Sequence, residues 1–131
     1  QRTMHIDSNR ISFTLTPKMI EEAPHLQRWI EACKPKAEQH GRRFQRVRLL
    51  IAKPGETEDQ VWHRDDTSER TLTCIMNLTH VTIKHGPCEF DGGFVNTGEP
   101  GAEFVTLQTV WHRGLANRSA KNRKILMAIF A

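Results

Sequence analysis

Apolar and polar positions change period once along this chain, near residue 44. Between Thr16 and Ala37, the residues Met19, Ile20, Leu26, Trp29, Ile30 and Cys33 recur at roughly helical spacing, which predicts a helical segment. Pro17 suits its first turn, and Pro24 is placed to break or kink it. From Phe44 onward Val47, Leu49 and Ile51 alternate with Arg46, Arg48 and Leu50, a strand that stops at the turn Lys53-Pro54-Gly55-Glu56. Short runs follow over Gln60–His63, Thr71–Leu78, Cys88–Phe90, Phe104–Leu107, Thr109–Arg113 and Lys124–Phe130, separated by turn-rich stretches such as Asp91-Gly92-Gly93 and 96–101. Seven or eight short strands after one helical segment predict an all-β core of two facing antiparallel sheets, a barrel or jelly roll, with the N-terminal helix packed outside.

No repeat or low-complexity linker divides the 131 residues, so residues 1–131 read as a single domain. No apolar run reaches membrane-spanning length and the first residues open no signal region, which points to a cytoplasmic protein with no membrane partner. Opening on Gln1, the chain reads as a fragment or trimmed form in which a targeting or substrate-covering segment can be absent. Cys33, Cys74 and Cys88 are an odd count without CxxC spacing and are expected to be small buried apolar residues. A net charge of +4 permits an anionic ligand, but the basic clusters lack interleaved aromatic residues and read as solvated faces rather than a nucleic-acid footprint.

Three residues stand out as candidate metal ligands. His63 and Asp65, two apart at a strand end, project from one face, while Asp66 points away. His112, 49 positions later in another short strand, can be brought beside them by a barrel. Two histidines and one carboxylate on one side of an octahedral ion leave three positions open, the arrangement of non-haem iron(II) oxygenases. By itself the HxD pair also fits a surface turn. Arg123, eleven residues past His112 at the start of an apolar strand, changes the weighing. A guanidinium there is costly if buried alone and satisfied if it grips the carboxylate of a dicarboxylate ligand, the bland alternative being an ion pair at the rim. Arg118, in the preceding loop, is the second candidate for that role. His80 and His85 could bind a further ion but are expected to be loop residues.

Val61-Trp62-His63-Arg64-Asp65, Gly86-Pro87-Cys88-Glu89-Phe90, and Trp111-His112-Arg113-Gly114 with Asn117, Ser119 and Arg123 together resemble the iron(II)/2-oxoglutarate dioxygenase superfamily, and within it the phytanoyl-CoA dioxygenase-like branch. Arg64 and His85 depart from that branch, and Arg70-Thr71-Leu72-Thr73 is similar to prolyl-hydroxylase-like members. The resemblance implies a double-stranded β-helix of the cupin type, Fe(II) held by His63, Asp65 and His112, and 2-oxoglutarate anchored by Arg123. It also implies hydroxylation of a small-molecule or peptidyl substrate coupled to formation of succinate and CO2. With Asp65 present, the position that halogenating relatives leave for chloride is filled. Two other classes compete with it: a cupin-like metal-dependent hydrolase or isomerase, which gives Arg123 no duty, and a basic β-barrel binding module. Oligomeric state is not legible.

Overall fold

The computed structural model describes residues 4–7, 9–64, 71–107 and 109–131, with the backbone alone for 4–7. Within them, eight strands and two helices run in the order β1 (Met4–Asp7), β2 (Arg10–Thr14), α1 (Pro17–Glu21), α2 (Pro24–Gln39), β3 (Phe44–Ala52), β4 (Leu72–Asn77), β5 (Cys88–Phe90), β6 (Glu103–Leu107), β7 (His112–Gly114) and β8 (Arg123–Phe130). Six of these strands form one antiparallel sheet ordered β1-β2-β3-β8-β4-β6, and β5 pairs with β7 in a second. Single bridges at His63 against His112 and at Val95 against Glu89 widen the smaller sheet on both sides.

The helical segment is split where its prolines predict. Thr16 caps α1 by accepting the Met19 N–H at 3.2 Å, and Pro17 stands in the first turn, where a missing N–H costs nothing. Pro24 opens α2, and Gln27 donates to the carbonyls of Ile20 and Glu21 at 2.8 and 2.7 Å, satisfying the end of α1. One stripe of α2, made of Trp29, Ile30, Cys33 and Ala37, packs with Val47, Leu72, Cys74, Ala128 and Phe130 into the main apolar cluster. The alternate residues of the same strands, Leu50, Thr73, Ile75, Ile125 and Met127, line a cavity instead. The large sheet is therefore covered by a helix on one face and opens to a cavity on the other. None of the described helices is long and apolar enough to cross a membrane.

The structure departs from the sequence pattern in three places around the cavity. The chain opens with a hairpin, β1–β2, where no element was expected before Thr16. Residues 10–14 do alternate, but the polar row faces inward: Arg10 is buried, and Ser12 and Thr14 accept from Arg48 at 2.8 and 2.7 Å. The expected strand Gln60–His63 shrinks to the bridge at His63, and the expected Thr109–Arg113 strand begins only at His112 and ends at Gly114. In both of these last cases a carbonyl two residues before the histidine accepts from the imidazole rather than from a neighbouring strand.

Candidate metal and anion site

His63 and His112 sit opposite each other and line the cavity. Each donates its backbone N–H to the other's carbonyl at 2.9 Å, and the two rings lie 4.5 Å apart between centroids. In each ring Nδ1 lies within hydrogen-bond distance of the carbonyl oxygen two residues back, Val61 O at 2.9 Å and Val110 O at 2.8 Å. A carbonyl can only accept, so Nδ1 carries the proton and the lone pair of the neutral ring is on Nε2, the tautomer a metal-binding imidazole needs. Phe90, with its ring 5.6 Å from that of His112, packs with Phe94 and Phe104 behind the site.

The chain around the two histidines repeats. Val61-Trp62-His63-Arg64 and Val110-Trp111-His112-Arg113 are the same tetrapeptide, set antiparallel by the mutual bridge. Outward from it, Arg64 lies over the Trp111 ring and Arg113 over the Trp62 ring, each 4.8 Å from the centroid. The arrangement is a local two-fold, with the same Trp–Arg brace on either side. The repeat was readable in the sequence, and four identical residues at the two histidine positions were its signal.

Asp65, the third expected ligand, lies outside the described residues, and among the described residues no group of three metal-ligating side chains converges. His80 and His85 do not form a second centre among these residues. His80 faces Glu99 at 3.3 Å, while His85 Nδ1 accepts the Thr82 N–H at 2.8 Å and so caps a 3-10 turn; burial pushes its pKa below the ordinary imidazole range.

Arg123 is where the cavity acquires its charge. It is 1% exposed, and its Nε and Nη1 have no hydrogen-bond partner among the described residues. Burial, reinforced by nearby Arg10, pushes its pKa down to about 10, still protonated at neutral pH. It shares the lining of a cavity of about 200 Å³ with His63, His112, Arg10 and Asn96. A buried cation costs several kcal/mol unless an anion meets it, and among the described residues no carboxylate bonds to Arg123 Nε or Nη1. Arg118, by contrast, is largely exposed and turns away to the Thr57 carbonyl at 3.1 Å and Asp59 at 3.8 Å.

Asn117 and Ser119 explain how Arg123 is aimed. Asn117 is fully buried; its amide donates to the carbonyls of Ala52 and Lys121, both at 2.9 Å, and its Oδ1 accepts from the Ser119 N–H and hydroxyl. These bonds tie the loop between β7 and β8 to the end of β3 and fix the point at which β8 begins. Gly86 presses on the same loop with φ of +77°, where a Cβ would come 2.5 Å from Leu115 O and 2.7 Å from Asn117 N. Arg10 and Glu56, which pair beneath this loop, were not singled out by the sequence.

No family model and no curated relative matches this sequence. Solved structures do resemble the fold. The non-heme alpha ketoglutarate dependent carbocyclase SnoK from nogalamycin biosynthesis superposes with a TM-score of 0.72 at 15% identity, over 93% of this chain and 63% of that one. EctD from S. alaskensis with bound Fe gives 0.73 at 16% identity, over 98% and 60%. EvdO2 from Micromonospora carbonacea var. aurantiaca complexed with 2-oxoglutarate gives 0.71 at 14% identity, over 91% and 65%. At such identities the likeness establishes a shared fold, and the chain spans 60–65% of the length of these three structures.

Proposed function

We propose that this chain forms the core of an iron(II)- and 2-oxoglutarate-dependent dioxygenase that hydroxylates an organic substrate. The observation that carries the reading is the Arg123 guanidinium, whose Nε and Nη1 are unpaired among the described residues, buried in the same cavity that His63 and His112 line. A metal-dependent hydrolase or isomerase accounts for the histidines and leaves that cation unexplained. A chelating dicarboxylate accounts for both.

In this reading His63 and His112 offer Nε2, and Asp65, two residues past His63, offers the carboxylate. The fit to a first-row metal rests on the locked Nδ1 protons, which leave a donor lone pair on each ring. Iron(II) held by these residues would supply the redox chemistry that couples dioxygen to the 2-oxo acid. Arg123 grips the far carboxylate by a two-point, charge-assisted fork. Leu50, Ile75, Ile125 and Met127 line the space between and exclude water from the reacting centre. The net reaction takes substrate C–H, dioxygen and 2-oxoglutarate to C–OH, succinate and CO2.

The large sheet with α2 on its outer face, and a smaller sheet bearing the two histidines, support a double-stranded β-helix. The phytanoyl-CoA dioxygenase-like branch is the family reading, on the HxD, GPC and distal H…N-x-S…R segments. Likeness to a carbocyclase from nogalamycin biosynthesis favours a small organic substrate over a peptidyl one. The test is succinate release in air from 2-oxoglutarate and iron(II), screened for small molecules that accelerate it. Iron-dependent succinate supports the oxygenase, and its absence across the screen, with turnover of an ester or amide instead, favours the hydrolase.

A further inference from the structure

Arg10, Ala52 and Arg123 form one row across three strands: Arg10 opposes Ala52 between β2 and β3, and Ala52 opposes Arg123 between β3 and β8. Directly opposed residues of antiparallel strands project from the same face, so both guanidiniums rise toward the cavity on either side of a buried methyl group. Their surroundings differ. Arg10 donates through Nε and Nη2 to the two carboxylate oxygens of Glu56, each at 3.4 Å, and through Nη2 to Leu115 O at 2.9 Å. Arg123 leaves Nε and Nη1 unpaired among the described residues.

Two buried cations thus share the neighbourhood of one carboxylate. Glu56 also lies near the row: its Oε1 accepts from the Asn117 N–H, Asn117 in turn donates to the carbonyl of Ala52 between the two arginines, and the Glu56 charge favours protonated Arg123 against burial and Arg10. Two contacts keep Glu56 on Arg10. The Asn117 N–H donates to Glu56 Oε1 at 3.2 Å, and Gly114 makes room for the Arg10 guanidinium, which a Cβ at 114 would strike. In the sequence repeat Gly114 stands two residues past His112, at the position that Asp65 holds after His63.

We infer that Arg10 is a positioning residue: by occupying Glu56 it withholds that carboxylate from Arg123 and keeps Arg123 available for the carboxylate of an acid ligand. This deepens the proposed function and rests on it. Without Arg10, Glu56 would fill the place meant for the co-substrate. A purely structural ion pair makes a different forecast, because removing either or both partners would then simply loosen the loop.

The experiment is anaerobic calorimetric titration of 2-oxoglutarate into the Mn(II)-loaded chain, for the parent, Arg10→Met, Glu56→Gln and Arg10→Met/Glu56→Gln, with Mn(II) affinity measured separately. Arg10→Met is expected to weaken 2-oxoglutarate by about 10- to 100-fold, as a buried ion pair must be broken for the ligand to enter. The double variant should recover to within about fivefold of the parent, since no carboxylate remains to compete. Glu56→Gln alone, whose amide oxygen can still accept from Asn117, should bind at least as tightly as the parent and keeps the test alive if Arg10→Met does not fold. Mn(II) affinity should stay within about threefold throughout, the order of a perturbation well under 1.4 kcal/mol. A double variant as weak as Arg10→Met, or a Glu56→Gln variant weaker than the parent, overturns the inference while leaving the co-substrate reading intact. A parent that binds Mn(II) but no 2-oxoglutarate overturns both.

Discussion

His63 and His112 hold each other in place through their backbones: each N–H meets the other's carbonyl at 2.9 Å. Alanine at either position removes an imidazole without removing the bridge. His63→Ala and His112→Ala are therefore expected to melt close to the parent and to lose iron(II) affinity by more than about 100-fold, above the range seen for outer partners of metal ligands. Asp65→Ala should behave in the same way. Metal titration beside thermal unfolding checks this; variants that retain the metal would move the site elsewhere.

The two Trp–Arg braces behind the histidines should matter modestly. An exposed cation–π contact contributes about 0.5–1 kcal/mol, so Trp111→Ala should weaken iron(II) by about two- to fivefold. Exchanging the partners, Trp111→Arg with Arg64→Trp, preserves the contact across the strands and should return affinity to within about twofold of the parent on the same energy scale. An exchanged pair weaker than either single variant would show that the braces do not act through the contact.

Arg123→Ala should raise the apparent constant for 2-oxoglutarate by roughly two to four powers of ten, the value of two charge-assisted hydrogen bonds at about 1.5–3 kcal/mol each. Lysine at 123 should restore part of it, keeping charge without the planar fork. Arg118→Ala, at a largely exposed rim position, should change it by no more than a few-fold. Anaerobic titration at saturating metal distinguishes the two arginines.

Much of this was legible from the sequence because it depends on periodicity. The helix and its break at Pro24, the strands beginning near Phe44, Cys88 and Arg123, and the inward aim of Arg123 follow from alternation and proline chemistry. Arg10 was not legible, because a charged residue on an alternating strand is ordinarily read as solvent-facing, and only the pairing of β2 with β3 turns it inward. The short strand at His112 was misplaced by residues 109–111, whose apolar character comes from Val110 and a half-exposed Trp111 rather than from a ladder. Asn117 and Ser119 were visible as a motif, but their work, bonding one loop to the end of β3, exists only in three dimensions.

Gly86 offers a test of that loop. Alanine there would need a φ of +77° and would meet backbone atoms of Leu115 and Asn117, which cannot rotate aside. A loss of about 2–3 kcal/mol in urea unfolding is expected, in the range of backbone strain and overpacking. Because the displaced loop lies between His112 and Arg123, 2-oxoglutarate should weaken too. A variant as stable as the parent would mean the close approach is readily relaxed.

One cavity gathers the histidine pair proposed to hold a metal and an arginine, with two nitrogens unpaired among the described residues, proposed to hold the far end of a chelating dicarboxylate. Anaerobic addition of 2-oxoglutarate to the iron(II)-loaded chain, followed by visible absorption, tests both halves at once. A 2-oxo acid chelated to iron(II) produces a charge-transfer band. The band should grow to saturation in the parent, be absent in His63→Ala and His112→Ala, and demand far more 2-oxoglutarate in Arg123→Ala. An iron(II)-loaded parent that develops no band and binds no 2-oxoglutarate would contradict the dioxygenase reading.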